Sequence, residues 1–245
     1  MSDIQTLHRP DGETLAFKRV DGSGPTVLWI GGFRSDMEGT KALALDAAAR
    51  ERGWNFVRYD HFAHGQSSGD WRQATIGRWR EDAIALIDSL EGPVIPVGSS
   101  MGGWIALLAA LARPARIKAL ILINPAQDFT ERLMWPGLAD HERQTILRDG
   151  ETTIVEDGLG EYVLTRTMFE EARDWLLLDG IIPVAAPIHI LQGRDDTTVP
   201  WRHQVELIAR LSGGDVSLDL ITGGDHRLSS QVDLKRMVET VARNR

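Results

Sequence analysis

The sequence of 245 residues contains no cysteine. This absence excludes disulfide bonds, metal sites built on thiolates and a cysteine nucleophile. It is also compatible with a reducing compartment. Any nucleophilic catalysis must therefore use another residue type.

Basic residues are fewer than acidic ones. The chain has 27 lysines and arginines against 35 aspartates and glutamates, which gives a net charge of −8 at pH 7. No run of Lys or Arg offsets this average. Binding to nucleic acid or to an anionic membrane needs a basic patch, so we expect no nucleic-acid partner.

Long apolar runs are absent as well. The longest, 102–112, is far shorter than the roughly 20 residues of a membrane-spanning helix. The first residues, MSDIQTLHRPDGETLAF, lack the basic region and the apolar stretch of a signal peptide. We therefore expect a cytoplasmic protein without stable membrane insertion.

Short β-branched segments recur along the chain, and helical patterns separate them. The segments typical of strands buried on both faces are TVLWI (26–30), NFVRYD (55–60), PVIPVG (93–98), KALILIN (118–124), PIHILQG (187–193) and VSLDLITGG (216–224). Helical patterns cover about 39–52, 77–90, 102–113, 200–212 and 230–243. Residues 4–8 and 14–20 flank the turn signal RPDGE and predict an antiparallel hairpin. The alternation predicts an α/β fold with a mostly parallel eight-stranded sheet and helices on both faces.

One interval is too long for a simple crossover between parallel strands. About sixty residues separate KALILIN from PIHILQG, and they contain the helix-like stretches FTERLMW, HERQTILRDG and LTRTMFEEARDWLLL. We therefore expect one domain, residues 1–245, with an insertion over about 126–182. We call residues 126–182 the cap.

The stretch VGSSMGG follows a predicted strand and matches G-x-S-x-G at Gly98, Ser100 and Gly102. A dinucleotide fingerprint fails because Ser100 takes the second glycine position, and a phosphate loop fails because tryptophan follows the last glycine. Small residues two places before and after a serine suit the strained turn of a nucleophile elbow. Ser100, and not Ser99, is the candidate nucleophile. The structural alternative is a serine that caps the next helix.

Aspartates follow two other predicted strands. Asp195 and Asp196 lie in GRDDTTVPW, and Asp128 follows KALILIN. In a parallel sheet, ligands bind at the carboxyl ends of the strands, so each of the three could orient a catalytic histidine. The position after the cap favours Asp196, with Asp195 and Asp128 as alternatives.

His226 follows the last predicted strand, in ITGGDHRLSS, where two glycines let the loop turn inward. The order Ser100, Asp196, His226 is that of the α/β-hydrolases. It predicts a catalytic triad. The alternative for a lone histidine is an ordinary loop residue.

A glycine pair, Gly31 and Gly32, follows the strand 26–30. It allows backbone N–H groups to turn into the site, and the amides of Phe33 and Met101 are the natural oxyanion hole. His61 and His64 lie three apart in YDHFAHGQSSG without an evident carboxylate partner. We expect them to have a loop role near the entrance, and we expect no metal and no cofactor.

The chain resembles the α/β-hydrolase superfamily over nearly its whole length. Within it, the chain looks like the subfamily of the mitochondrial palmitoyl-protein thioesterase that is also a mycophenolic acid acyl-glucuronide esterase. The stretches that carry the closer match are GGFRSDMEGTKAL, GRWREDAIALID, VGSSMGGWIALLAALARP, GRDDTTVPW and GGDHRLS. The resemblance implies a triad of Ser100, Asp196 and His226 with oxyanion amides at Phe33 and Met101. Gly31 stands where that relative has proline, and no mitochondrial presequence is expected.

These features together predict a serine hydrolase that cleaves carboxylic esters or acyl thioesters through an acyl-enzyme on Ser100. A depalmitoylase-like thioesterase and an acyl-glucuronide esterase are the specific forms that the resemblance implies. The alternatives are a small-molecule carboxylesterase, a carbon–carbon hydrolase, a peptidase or a non-catalytic ligand-binding member of the fold. The substrate is expected to be a small molecule or an acylated partner.

Overall fold

The computed structural model describes residues 3–156 and 160–245. Ten strands lie in them: β1 (Gln5–His8), β2 (Thr14–Val20), β3 (Ser23–Ile30), β4 (Trp54–Tyr59), β5 (Val94–Ser99), β6 (Leu120–Ile123), β7 (Glu151–Glu156), β8 (Gly160–Thr165), β9 (Ile188–Gly193) and β10 (Val216–Ile221). Eight of these form one sheet in the order β1-β2-β4-β3-β5-β6-β9-β10. β2 is antiparallel to β1 and β4, and the other neighbours are parallel. The predicted α/β fold with an eight-stranded, mostly parallel sheet is confirmed.

The central strands are buried along their whole length. Every residue of β5 and β6 is buried, as expected for parallel strands with helices on both faces. The first two strands pair as the predicted hairpin, with Gln5 opposite Phe17 and His8 opposite Thr14.

The helices are α1 (Thr40–Arg52), α2 (Ile76–Ser89), α3 (Met101–Ala112), α4 (Trp135–Gly137), α5 (Asp140–Asp149), α6 (Arg166–Ala172), α7 (Trp201–Arg210) and α8 (Gln231–Asn244). The five predicted helices begin and end within two residues of α1, α2, α3, α7 and α8. Two of them start at a side-chain cap: Thr75 accepts the N–H of Arg78, and Ser230 accepts that of Asp233.

Apolar clusters cover both faces of the sheet. One contains Trp79 of α2 and Trp104 of α3, and the other contains Leu45 of α1 and Val241 of α8. Burial of such large side chains is the main stabilising contribution in a domain of this kind. None of the helices in the described part of the chain combines the length and apolar character that crossing a bilayer requires.

The residues between β6 and β9 contain α4, α5, α6 and the antiparallel pair β7–β8. They contact the main body through half-buried hydrogen bonds. Trp104 donates its Nε1–H to the carbonyl oxygen of Trp175 at 3.2 Å, and the Glu171 carboxylate accepts the N–H of Gly77 at 3.0 Å. Residues 157–159 of the cap lie outside the described residues. The division into one domain with a cap at 126–182 stays a prediction.

Candidate active site

Ser100 forms a sharp turn between β5 and α3. Its backbone has φ 55° and ψ −122°, a positive-φ conformation that residues other than glycine rarely adopt. Hydrogen bonds hold this turn from two sides: the Ser100 N–H donates to Ile123 O at 3.0 Å, and the Gly103 N–H donates to Ser100 O at 2.8 Å. The serine side chain therefore leaves the sheet at its carboxyl edge.

The two glycines that flank Ser100 are required by close backbone contacts. A Cβ atom on Gly98 would lie 2.3 Å from the carbonyl oxygen of Gly102, and one on Gly102 would lie 2.1 Å from that of Ile30. Real Cβ atoms do not approach backbone so closely, so the spacing G-x-S-x-G follows from the packing of three elements.

His226 lies between Ser100 and Asp196. Its Nε2 is 3.2 Å from Ser100 Oγ, and its Nδ1 is 2.7 Å from Asp196 Oδ2. The other Asp196 oxygen, Oδ1, accepts the backbone N–H groups of Thr198 and Val199, each at 2.8 Å. The Asp196 side chain is fully buried, whereas 29% of the His226 side chain is exposed. The three predicted residues thus form one hydrogen-bonded chain.

The alternative aspartates lie elsewhere. Asp195 is exposed, and its backbone N–H donates to Gly224 O. Asp128 is buried and accepts the N–H groups of Leu177 and Leu178 at 2.9 and 2.8 Å. Burial raises the pKa of Asp128. Within the described residues, neither carboxylate bonds to His226, and the Asp128 contacts fasten two ends of the cap to each other.

Asn124 is a residue that sequence reasoning missed. It ends the segment KALILIN, is fully buried and has φ 43°. Its Nδ2 donates to the carbonyl oxygens of Asp225 and His226 at 3.0 and 2.8 Å, and its Oδ1 accepts the Gly193 N–H at 2.7 Å. The side chain therefore ties the His226 loop to the end of β9. An asparagine at a strand end, where a left-handed backbone suits it, was the available signal.

Residues 31–35, which we call the oxyanion loop after their predicted role, approach Ser100 closely. A Cβ on Gly32 would lie 3.2 Å from Ser99 O and 3.3 Å from Ser100 Cβ. Among the described residues, no hydrogen bond engages the backbone N–H of Phe33 or of Met101. Met101 is also the first residue of α3, where the helix dipole favours negative charge. Met101 directly follows the serine and Phe33 directly follows Gly32, and their role as oxyanion donors stays a prediction.

His61 and His64 are buried beneath this loop. The Arg34 N–H donates to His64 Nε2 at 3.1 Å, and His61 Nε2 lies 3.3 Å from Gly31 O. Burial lowers the pKa of His61 to about 3 and lowers that of His64 as well. Both histidines therefore bond to the backbone of the oxyanion loop from a buried position. This contact was not evident from the sequence, because the two segments are about thirty residues apart.

A cavity of about 620 Å³ opens at Ser100. Its apolar lining residues are Phe33, Met101, Ala126, Phe129, Leu133, Met134 and Val199, and its polar ones besides Ser100 and His226 are Arg34, Tyr162, Thr198 and Arg227. The volume is within the range of about 300–1,000 Å³ that small-molecule pockets show. Four of the seven apolar lining residues, Ala126, Phe129, Leu133 and Met134, belong to residues 126–182, so the cap helps to shape the space next to the serine.

The chain is similar to known proteins in sequence and in fold. A family model described as serine aminopeptidase, S33 matches residues 25–149. The palmitoyl-protein thioesterase ABHD10, mitochondrial, of Bos taurus is 35% identical over 98% of this chain and 79% of its own length. The counterpart from Mus musculus is 34% identical over 98% and 82%.

Solved structures agree with these sequence matches. A putative hydrolase from Agrobacterium vitis S4 superposes with a TM-score of 0.91 at 38% identity, covering 99% of this chain and 98% of its own. The α/β hydrolase domain-containing protein 10 from mouse gives 0.90 at 33% identity, covering 99% and 98%. The resemblance predicted from the sequence motifs is confirmed: this chain belongs to the α/β-hydrolase family.

Proposed function

We propose that the protein is a serine hydrolase that cleaves carboxylic esters or acyl thioesters through an acyl-enzyme on Ser100. The observation that carries this proposal is the chain of contacts from Ser100 Oγ through His226 to Asp196, at 3.2 and 2.7 Å, at the wall of the cavity. A nucleophile, a base and a residue that orients the base are the parts that acyl transfer needs.

In the first half of the proposed reaction, His226 Nε2 takes the proton of Ser100 as the serine oxygen attacks the acyl carbonyl. Asp196 holds the imidazole with Nδ1–H towards its own Oδ2 and stabilises the imidazolium that forms. The amides of Phe33 and Met101 donate to the developing oxyanion. One such donor typically contributes about 3–4 kcal/mol to lowering the barrier.

In the second half, the tetrahedral intermediate collapses and the alcohol or thiol leaves with the proton from His226. Water then enters, His226 removes its proton, and the hydroxide attacks the acyl-enzyme. Collapse of the second intermediate releases the acid and returns the proton to Ser100. Every proton transfer uses Nε2 of the one histidine, which the short contact to Asp196 keeps oriented.

The lining of the cavity supports an apolar acyl group. Phe129, Leu133 and Met134 offer apolar surface near Ser100, and burying a methylene group contributes about 0.8 kcal/mol. The curated relatives carry the name palmitoyl-protein thioesterase, which supports an acyl thioester as one substrate class. A panel of thioesters and esters of increasing chain length measures this preference as kcat/KM.

The positive charge of Arg227 at the same cavity favours a second substrate class, the acyl glucuronides, from which anionic glucuronate is the leaving group. Arg227 is exposed and lines the cavity with His226. Arg227→Gln should lower kcat/KM for an acyl glucuronide more than for a neutral ester of the same acid. Arg210→Gln, an exposed arginine of α7, is the matched control. An equal effect on both substrates would contradict the glucuronide assignment.

The test of the function itself is replacement of the nucleophile. Ser100→Ala should abolish hydrolysis of every substrate in the panel, since removing a triad nucleophile costs about a million-fold in turnover in a protease. Ser99→Ala, the adjacent buried serine, should keep its activity. Labelling of Ser100 by a fluorophosphonate should disappear in the first variant and persist in the second. Near wild-type turnover in Ser100→Ala would refute the proposal, and a wild-type protein that neither hydrolyses nor labels would indicate a ligand-binding protein.

The cytoplasmic location and the absence of a nucleic-acid partner are predicted from the sequence alone, and both stay proposals. The relatives above are named mitochondrial proteins. Fractionation of the native cells, followed by activity measurement in each fraction, distinguishes the two compartments.

A further inference from the structure

His64 makes two hydrogen bonds that fix its protonation and its orientation. Its Nδ1 lies 3.0 Å from the carbonyl oxygen of Phe62, and its Nε2 lies 3.1 Å from the backbone nitrogen of Arg34. A carbonyl oxygen only accepts and a backbone N–H only donates. Nδ1 must therefore carry the proton, while Nε2 must be bare. The imidazole is neutral in one tautomer, which agrees with burial lowering the pKa of His64.

The ring has little freedom to move. It packs against the aromatic rings of Trp71 and Trp79, with ring centroids 5.2 and 5.4 Å from its own. Trp79 also donates its Nε1–H to Phe62 O at 3.1 Å. Two tryptophan rings therefore hold the His64 ring in place. The Phe62 carbonyl oxygen, which accepts from both His64 and Trp79, fixes its orientation.

The group that His64 holds belongs to the oxyanion loop. Arg34 has φ 60°, a left-handed conformation unusual for a residue other than glycine. A turn bond from Ser35 N to Gly32 O at 3.1 Å closes the loop around Phe33. At the other end, His61 donates through Nε2 to Gly31 O at 3.3 Å. The peptide group that carries the Phe33 N–H thus lies between two backbone groups that the histidines bind, the Gly31 carbonyl and the Arg34 N–H.

We propose that His64 is a positioning residue for the oxyanion hole: its neutral Nε2 accepts the Arg34 N–H and so aims the Phe33 amide at the acyl oxygen above Ser100. The assignment rests on the proposed function, because it gives His64 a part in the same reaction. His64 does not touch the substrate. A purely structural histidine would stabilise the fold without affecting turnover by a correctly folded enzyme.

Three substitutions of His64 test the roles of its two ring nitrogens separately. His64→Gln places an amide group near the Nε2 position and can still accept from Arg34. His64→Asn can keep a donor towards Phe62 but has no atom that reaches Arg34. His64→Leu fills the space without any polar atom. We expect kcat to fall about 10- to 100-fold in the Leu and Asn variants with KM within about twofold, and we expect Gln to restore most of it.

A second readout separates positioning from general loss of stability. Affinity for a trifluoromethyl ketone, which forms a tetrahedral oxyanion on the serine, should fall in parallel with kcat in the Leu and Asn variants. Affinity for the product acid should change little. Ile84→Val, a change in the same apolar cluster on α2, should lower the melting temperature while kcat and ketone affinity stay at wild-type levels.

The outcomes also separate this inference from the function. If Ser100→Ala abolishes hydrolysis but Asn and Gln at position 64 have equal, wild-type kcat, then the positioning role is wrong and the hydrolase stands. If Ser100→Ala keeps its activity, both fail. If His64→Leu does not fold, the comparison of Asn with Gln decides: similar losses in both, with equal ketone affinity, overturn the inference, and rescue by Gln alone supports it.

Discussion

The Asn124 side chain donates to the carbonyl oxygen of His226 at 2.8 Å and so fixes the loop that carries the proposed base. The same side chain also bonds to Asp225 O and to Gly193 N–H. One buried amide therefore joins the carboxyl ends of three neighbouring strands, β6, β9 and β10. It does so with all of its bonds inside the protein, where leaving a partner unsatisfied is costly.

Replacement of this amide should lower stability and activity together. In Asn124→Ala, three backbone groups lose their partner, and each buried one costs about 1–3 kcal/mol. We expect the free energy of unfolding, measured with urea, to fall by about 3 kcal/mol, and kcat to fall because the His226 loop loosens. Asn55→Ala is the control, since the Asn55 side chain also bonds two backbone groups, at Gly22 and Gly24, but through exposed hydrogen bonds. A loss as small as in this control would contradict the role of Asn124.

The choice among the aspartates is decided by amide substitutions. Asp196→Asn should lower kcat about 10⁴-fold, because an amide donor at Oδ2 favours the wrong tautomer of His226. Asp195→Asn should leave kcat within about twofold, since the Asp195 side chain is exposed. Steady-state kinetics on one ester suffice. A large loss in the Asp195 variant with activity retained in the Asp196 variant would reverse the assignment.

The oxyanion loop lies so close to Ser100 that one added methyl group, at Gly32, should lower activity. In Gly32→Ala, the new Cβ would lie 3.2 Å from Ser99 O and 3.3 Å from Ser100 Cβ, so the loop must shift by a few tenths of an ångström. We expect kcat to fall about 10- to 100-fold, because catalysis depends on such alignment. Gly180→Ala, where nothing lies within 4 Å of the new Cβ, is the control. Unchanged kcat for Gly32→Ala would mean that the loop tolerates displacement.

Asp82, a buried aspartate of α2, predicts a pH dependence of stability. Burial raises the pKa of Asp82 to about 7, while Oδ2 accepts the Phe62 N–H at 2.7 Å. The folded state then holds this proton more tightly than the unfolded state, whose pKa is about 3.9. The contribution of Asp82 to stability is therefore complete below pH 4 and is lost as the pH rises through 7.

The test compares wild type with Asp82→Asn between pH 5 and pH 8. The amide oxygen can still accept from Phe62 without carrying charge. As the pH rises, the free energy of unfolding of Asp82→Asn should increase relative to that of wild type, by roughly 1–4 kcal/mol at pH 8. Asp88→Asn should show no such trend, because the hydrogen bond from Arg113 lowers the pKa of Asp88. A difference independent of pH would show that Asp82 stays ionised throughout.

The sequence by itself determined the fold class and the position of the candidate nucleophile. Apolar runs such as LILI in β6 are local signals, and they predict strands covered on both faces wherever they occur. The spacing of Gly98 and Gly102 around Ser100 is equally local, because it follows from contacts within one strand–turn–helix unit and its nearest neighbour strand.

Only the tertiary structure decided which aspartate meets His226, what Asn124 holds and why two histidines lie under the oxyanion loop. Asp195 and Asp196 are adjacent in sequence, yet the turn after β9 buries one and exposes the other. His64 and Arg34 are thirty positions apart and meet because β3 and β4 are parallel neighbours whose loops leave the same edge. Directional hydrogen bonds between distant loops depend on that arrangement, and no pattern along the chain encodes it.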